Sequence, residues 1–563
     1  MNPSKQLYAR RRPRTTLPGL SAVVLGAVVL AAGAAPAQAV PGTGNDDAAG
    51  HFSSQVLASN GDNAIDPVLG KFYRIVGLAS LGNGVVLAAY DGRPDGADSP
   101  SPNSIIQRRS TDGGKTWDAP QYIARGQVTA PGVLRYGFSD PSYVVDRETG
   151  TVFNFHVYSK DAGFVASHLG NDDADRMVIS SEVSVSTDGG LTWSTDPANQ
   201  PTLPTPSSYA PGSKYAGFAG PLVTNAVKPV GTTVNGVANV GGVVGQFASS
   251  GEGIQLQYGP HKGRLIQQFA GTVVQADGSK QIQAYSVYSD DHGKSWHMGQ
   301  PVGTKMDENK VVELSNGDVM LNSRDNAGLG GRRIAISHDG GETYGPVTYD
   351  STLTDPRNNA GITRMFPDAP EGSADAAKLL FSNADNAPSN RVNGNNRING
   401  TIRYSCDNGA TWSTSRAFAP GLPTAYSTVT PLGNGRYGVL YEGDHNTITF
   451  DTFDAQWLGP LCGTLAAGAA SVAPGGTADV TFTVTNRDDH AFSRGTVSLT
   501  LPSGWTATDA NAPALPAGQS ATVTVRVTAP VSANASTVTG RAEFNAAQGH
   551  LNVTVPVTVT PAS

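Results

Sequence analysis

Five short stretches decide the fold: Ser110 to Trp117 reads STDGGKTW, Ser186 to Trp193 STDGGLTW, Ser289 to Trp296 SDDHGKSW, Ser337 to Tyr344 SHDGGETY, and Ser405 to Trp412 SCDNGATW. Each follows a strand-like run, such as Ile105-Ile106-Gln107-Arg108-Arg109 before the first box and Arg333-Ile334-Ala335-Ile336 before the fourth, so the box is expected to be a hairpin turn. In such a turn the Asp accepts hydrogen bonds from backbone amides, the Gly supplies a positive φ, and the aromatic is expected to pack on the next strand of its own unit. The boxes start 76, 103, 48 and 68 residues apart. A unit near 50 residues with long insertions fits the four-stranded blades of a β-propeller, and an insertion such as residues 202–251 is expected to be a loop on one face. Two boxes contain G-K-T or G-K-S, but Arg109 and Tyr288 stand where a phosphate-binding loop needs its first glycine, so nucleotide binding is rejected.

Composition agrees with short strands and tight turns. The chain has 563 residues, 67 of them glycine, and only 15% are charged, which excludes a helical bundle or coiled coil. The net charge of −7 advertises neither a nucleic-acid partner nor an anionic membrane. Lys5, Arg10, Arg11, Arg12 and Arg14 precede an apolar run from Leu20 that ends in Ala37-Gln38-Ala39, the pattern of a secretory signal peptide over residues 1–39. Its removal leaves 34 basic and 46 acidic residues, a net charge of −12, and no other apolar run long enough to span a membrane. A secreted protein, free of the membrane once the leader is cleaved and monomeric, is expected.

Cys406 and Cys462 are the only cysteines, in a spacing that suits no metal, and in an oxidising compartment they can form one bridge across the end of the repeat region. The ten histidines are scattered, so no catalytic zinc is expected. From residue 463 to 563 the chain becomes rich in Ala, Val and Thr, with alternating runs such as Ala478-Asp479-Val480-Thr481-Phe482-Thr483-Val484. This reads as an immunoglobulin-like accessory β-sandwich, with Trp505 either in its core or on its surface. The expected organisation is an all-β chain: leader 1–39, six-bladed propeller 40–462, sandwich 463–563.

The boxes, with Phe72-Tyr73-Arg74-Ile75 before the first, resemble the bacterial exo-sialidases, in particular their secreted actinobacterial members, over about residues 55–462. The resemblance implies a six-bladed propeller, boxes at its periphery, and a central depression for a terminal sialic acid. A sugar that carries a carboxylate on its anomeric carbon needs a fixed cationic clamp, and arginine forms bidentate pairs that lysine cannot. By the family pattern the clamp is Arg74, where Tyr and Val flank a motif that has Phe and Pro in the family; Arg324, after the run Val319-Met320-Leu321 read as an inner strand; and Arg397 in RINGTIR, with Arg403 as its rival. Glu442 is implied as the carboxylate that orients Arg74.

The resemblance further implies Tyr426 as nucleophile, with Glu308 as the base that takes its proton and Asp307 as the rival of Glu308. A carboxylate attacking a carbon that already bears one meets repulsion, whereas a neutral phenol does not; sialidases are a known exception to the two-carboxylate scheme. Asp98, in a Gly- and Pro-rich loop with Asp95 as its rival, is implied as acid/base, and Asp140 as either a substrate contact or a turn residue. The implied activity is hydrolysis of terminal α-linked sialic acids from glycoproteins, gangliosides and oligosaccharides, with net retention and no cofactor. The rivals are transfer of sialic acid to another sugar and a non-catalytic sialic-acid-binding propeller.

Overall fold

The computed structural model describes residues 45–47, 50–195, 209, 211–392, 394–534 and 536–560. The leader expected over residues 1–39 lies outside them. Regular structure is almost all strand, and among the described residues no helix is long and apolar enough to cross a membrane.

Six sheets follow one another along the chain. From the inside outward, blade 1 is Phe72–Gly82, Val85–Arg93, Ser104–Ser110 and Gln121–Ala124; blade 2 is Gly137–Val145, Val152–Ser159 and Ser180–Ser186. Blade 3 is Val243–Ala248, Leu265–Val274, Lys280–Ser289 and His297–Met298; blade 4 is Met306–Glu313, Val319–Asp325, Arg332–Ser337 and Thr348–Asp350. Blade 5 is Gly361–Arg364, Leu379–Ala384, Ile398–Ser405 and Thr414–Pro423. Blade 6 takes Ser427–Gly433, Arg436–Glu442 and Ile448–Asp454 from the end of the repeat region and Gly50–Ala58 from its start, Phe52 pairing with Phe453. That pairing closes the ring, and at the inner edge of blade 2 Gly251–Glu252 pairs in parallel with Ser142 and Tyr143.

The same closure explains why six blades carry five boxes. Each box joins the third strand of its blade to the region of the fourth, and in blade 6 those two strands come from opposite ends of the propeller with no turn between them. In the first box Asp112 Oδ1 accepts from the amides of Lys115 (3.0 Å) and Thr116 (2.9 Å), and Ser110 Oγ accepts from Gly114 N (2.9 Å). The aromatic stays within its own unit as expected in two boxes, Trp193 against Tyr143 and Trp412 against Phe381, and reaches the preceding blade in others. Trp117 packs edge-on against Phe450 of blade 6, and Trp296 against Phe153 and Phe155 of blade 2. The last glycine of each box meets the preceding blade as well: a Cβ would stand 2.4 Å from Phe450 at Gly114, 2.7 Å from Leu87 at Gly190, 2.2 Å from Phe153 at Gly293 and 2.9 Å from Met320 at Gly409. The box is thus an inter-blade clasp, and its glycine is required by close approach as much as by its φ.

Two further expectations change. Residues 202–251 do not form only a face loop: of the part described, Val243–Ala248 is the innermost strand of blade 3, while residues 202–208 and 210 lie outside the described residues. Arg324 ends Val319–Asp325, the second strand of blade 4; the innermost is Met306–Glu313.

Beyond the propeller, Gly463–Ala467, Thr477–Asn486, Ser520–Thr528 and Thr506–Thr508 form one sheet. Ala470–Val472, Gly549–Val559, Thr537–Ala546, Gly495–Thr500 and Ala510–Ala512 form the facing one. Alternate residues such as Val480, Phe482, Val484 and Val525 are fully buried between them, as period-two patterning requires. Trp505 packs on the border of this core. The sandwich is fastened to blade 5: Cys406 is bonded to Cys462, Thr414 Oγ1 donates to His550 O at 2.6 Å, and Arg541 Nη2 donates to Ser415 O at 3.0 Å.

Replacing Gly293, whose φ is +81°, by Ala forces a methyl group into the Phe153 ring. Urea denaturation should show a loss of about 2 kcal/mol or more, whereas Gly278→Ala, at φ +81° with Val237 3.7 Å away, should lose about 1 kcal/mol.

Candidate active site

The inner strands begin at the end of the propeller opposite the boxes, and there three of them leave their pleat. In blade 1 the register slips between Arg74 and Val76, leaving Ile75 extra at φ +57°. In blade 2 it slips between Ser139 and Ser142, with Asp140 at φ +67°. In blade 4 it slips between Met306 and Asn309, so that Asp307 and Glu308 together oppose the end of the Arg324 strand. β-Bulges of this kind re-aim side chains that a regular strand would send to opposite faces.

Tyr426, between the last strand of blade 5 and the first of blade 6, lies at the centre of what these bulges aim at. It is 7% exposed, and its hydroxyl donates to Glu308 Oε1. Arg324 Nη1 is 2.7 Å from Glu308 Oε2 and 3.4 Å from the Tyr426 hydroxyl. Arg324 leaves its buried Nε without a hydrogen-bond acceptor, although Asp307 Oδ2 is 3.9 Å away, so its guanidinium keeps donor capacity for an incoming anion. The guanidinium carbons of Arg74 and Arg397 lie 5.7 and 5.2 Å from the centre of the Tyr426 ring. Three arginines therefore converge on one phenol.

The environment sorts the titratable groups. Burial, with the Glu308 charge, pushes the Tyr426 phenol above its ordinary range, against the three arginines. Burial also acts to raise Glu308, but Arg324, the Tyr426 hydrogen bond and Arg397 outweigh it and hold this carboxyl below its ordinary value. Asp307 goes the other way: burial and the neighbouring Glu308 push it up to about 7. Of the two adjacent acids, Glu308 is thus the ionised one and the one bonded to the phenol.

Glu442 is 1% exposed. It accepts from Arg74 Nε at 3.1 Å and from the amide of Ile75 at 2.7 Å, fixing at once the guanidinium and the bulge that carries it. Arg397 donates to Arg357 O at 2.9 Å, whereas its rival Arg403 pairs with Asp385 at 2.6 Å within blade 5. Asp98 projects from the loop between the second and third strands of blade 1 with its side chain 80% exposed, 3.9 Å from Arg74 and 2.7 Å from Arg93. Surrounding protein acts to raise its carboxyl, but Arg93, then Arg74 and Arg397, overcome this and hold it below its ordinary value. Asp95 instead accepts from Ala97 N and Ser101 Oγ within the loop. Burial and the nearby Asp91 raise the Asp140 carboxyl well above the usual range, so Asp140 is both the bulge residue and a group facing the depression.

The eight residues singled out in the sequence are brought together. Arg93 was not among them. It is 1% exposed and spans Asp91 (2.9 Å) and Asp98; the readable signal was D-x-R at two-residue spacing on one strand, which puts both side chains on one face. Among the described residues the one grouping of potential metal ligands is Asp488, Asp489 and His490, in the sandwich and away from this depression.

The chain is similar to known proteins over most of its length. A family model described as a BNR repeat-like domain matches residues 250–439, and one described as the NPCBM-associated NEW3 domain of alpha-galactosidase matches residues 472–545. The chain is 44% identical to a sialidase of Micromonospora viridifaciens over 560 residues, 98% of this chain and 77% of that protein. Among solved structures it is similar to the Hadza microbial sialidase Hz136, with TM-score 0.55 and 25% identity over 69% of this chain and 67% of the other. Its fold is also that of the intramolecular trans-sialidase from Ruminococcus gnavus, with TM-score 0.52 and 18% identity over 71% of this chain and 98% of the other.

Replacing Glu442 by Leu strands the Arg74 guanidinium and the Ile75 amide together. Urea unfolding should show a loss of about 2 to 3 kcal/mol, below the full value for a buried pair because Arg74 keeps some access to water; Glu442→Gln, which keeps acceptor and shape, should lose less than half of that.

Proposed function

The chain belongs to the sialidase family of glycoside hydrolases, and from that premise we propose that it is an exo-α-sialidase that removes terminal α-linked sialic acids with retention, through a tyrosyl-enzyme intermediate. The observation that carries the proposal is the hydrogen bond from the Tyr426 hydroxyl to Glu308, with Arg324, Arg74 and Arg397 around the same phenol. In this reading Arg74, Arg324 and Arg397 grip the substrate carboxylate, whose planar geometry matches the guanidinium fork. Asp98 donates a proton to the glycosidic oxygen, the C2–O bond to the leaving group breaks, and Tyr426 Oη forms a bond to the oxocarbenium-like C2 as its proton passes to Glu308. Asp98 then draws a proton from water, the water oxygen attacks C2, and Tyr426 leaves with the proton held by Glu308. Two inversions give net retention.

Asp98 is held ionised in the free site by its arginines, yet the first step needs it protonated. The substrate supplies the difference: its carboxylate neutralises Arg74 and Arg397, two of the charges that lower Asp98, and adds a negative charge beside it, so the pKa rises on binding. A non-catalytic binding propeller would need the arginines but has no use for Tyr426, Glu308 and Asp98 in one depression. Sialylated glycans on proteins, lipids and oligosaccharides are the proposed substrates, and residues 1–39 are proposed to direct secretion of a protein that acts as a monomer.

The test is hydrolysis of a fluorogenic α-sialoside. The wild type should cleave it with the α-anomer of free sialic acid as first product by NMR. Tyr426→Phe should lose about three orders of magnitude or more in kcat. A β-anomer as first product or full activity in Tyr426→Phe would refute the mechanism, and an anhydro or transferred product would refute hydrolysis as the outcome.

A further inference from the structure

Close to Glu308 on the inner strand of blade 4 lies a cation that the proposed reaction does not use. Lys310 follows Glu308 by two residues on the inner strand of blade 4 and is 3% exposed. Its Nζ donates to Asn359 Oδ1 at 2.8 Å and to Ser249 Oγ at 3.3 Å. Asn359 Nδ2 donates to Ser250 Oγ at 2.8 Å, and Ser249 Oγ accepts from Asn309 N at 2.8 Å. At Gly251 a Cβ would stand 2.6 Å from Lys310 Cε and 3.5 Å from Thr428 Oγ1 of blade 6. The segment leaving the inner strand of blade 3 and the segment entering blade 5 thus meet at this one side chain.

The partners of Lys310 are neutral oxygens, and it makes no ion pair with any described residue. The charged groups that face it are Glu308 on its own strand, Asp140 on the inner strand of blade 2 and Arg332 on the third strand of blade 4. Burial pulls the ammonium down to about 7, against the pull of Glu308 and Asp140 and with the push of Arg332. The clamp arginines stay charged at every physiological pH. Lys310 is the cation of this centre that does not.

We propose that Lys310 is a positioning residue for anion recognition: its ammonium, fixed two residues along the strand from Glu308 by neutral oxygens and without a carboxylate partner, adds a positive charge to this centre that strengthens binding of a carboxylate-bearing sugar. The inference rests on the sialidase reading and adds to it a pH dependence of affinity. The sign follows from linkage. An anion bound near Lys310 favours its charged form, so binding draws a proton onto Lys310, and affinity falls as pH rises through its titration. Lys310 does not touch the sugar, so the effect falls on KM and Kd more than on kcat.

The experiment measures KM and kcat for a fluorogenic α-sialoside from about pH 6 to about pH 8.5, and the binding of free sialic acid near pH 7 by calorimetry in buffers of different ionisation enthalpy. Wild type, Lys310→Met and Asp307→Asn are compared, the last because Asp307, also raised to about 7, titrates in the same range. In the wild type KM should rise roughly three- to tenfold across the range, with kcat changing less, and binding should take up a fraction of a proton. Lys310→Met should begin at the high KM, lose most of the rise and lose most of the uptake; Asp307→Asn should keep both.

The proposal is overturned if Lys310→Met keeps the rise and the uptake, or if Asp307→Asn abolishes them. Should Lys310→Met fail to fold by circular dichroism, Lys310→Gln takes its place: the rise and the uptake lost support Lys310, and the rise and the uptake retained refute it. A wild type that cleaves and binds with no pH dependence refutes the role of Lys310 only. One that neither cleaves nor binds the sialoside refutes the sialidase reading beneath it.

Discussion

The centre of the propeller depends on three inner strands breaking their pleat. A regular strand sends successive side chains to opposite faces, so it cannot direct Arg74 and the Ile75 amide to one carboxylate, or Asp307 and Glu308 to one arginine. Each slip in register solves that problem locally, at a cost. Ile75, a β-branched residue, and Asp140 both sit at positive φ, a strain of about 1 to 3 kcal/mol each. Glu442 offsets part of it by accepting from the Ile75 amide and from Arg74 together. One carboxylate therefore stabilises both the irregular backbone and the cation that the irregularity presents.

The rigidity on which this relies comes from the opposite end of the blades. The boxes clasp each blade to its predecessor through a glycine, joined in blades 1 and 3 by an aromatic, and the N-terminal strand closes the ring in blade 6. The site draws Arg74 and Asp98 from blade 1, Asp140 from blade 2, Glu308 and Arg324 from blade 4, Arg397 from blade 5 and Glu442 from blade 6. No blade holds it alone. A change in the spacing of neighbouring blades would move these groups relative to one another, and active-site geometry tolerates displacements of well under about 1 Å.

Much of the architecture was legible because the boxes repeat, and a repeated turn implies a repeated unit. What a box touches was not legible: the partner of Trp117, Phe450, lies more than three hundred residues away and enters only through ring closure. The alternating Val and Thr of the sandwich could be read for the same reason as the strands of the blades, since period two survives without homology. The site was harder. Nothing in periodicity separates Tyr426 from the other tyrosines, so its selection rested on resemblance. Glu308 over Asp307 could not be settled by pattern, because in a regular strand adjacent residues face apart, and only the bulge turns both towards Arg324. Arg93 went unassigned although its D-x-R spacing was visible, and Lys310 because a lysine that follows Asp307-Glu308-Asn309 along a strand gives no sign that its partners are the neutral oxygens of other segments.

The distribution of protons over the acids also bears on why the attacking group is a phenol in the proposed reaction. Asp98, Asp140, Asp307, Glu308 and Glu442 surround one depression, and a carboxylate-bearing sugar would bring a further negative charge. With Asp140 and Asp307 raised by burial and by their acidic neighbours, the free site carries less negative charge than its composition suggests, and the arginines are not wholly neutralised by their own partners. A carboxylate at position 426 would undo this, since it would have to remain ionised against Glu308 in order to attack. In that reaction Tyr426 remains neutral until C2 develops positive charge, and then delivers its proton along a hydrogen bond that already exists to Glu308, an acid the arginines keep ionised. Net charge over the whole chain, −7, opposes the approach of an anion at long range; affinity for one must come from within the depression, where cations are fixed in place and acids are held protonated by one another.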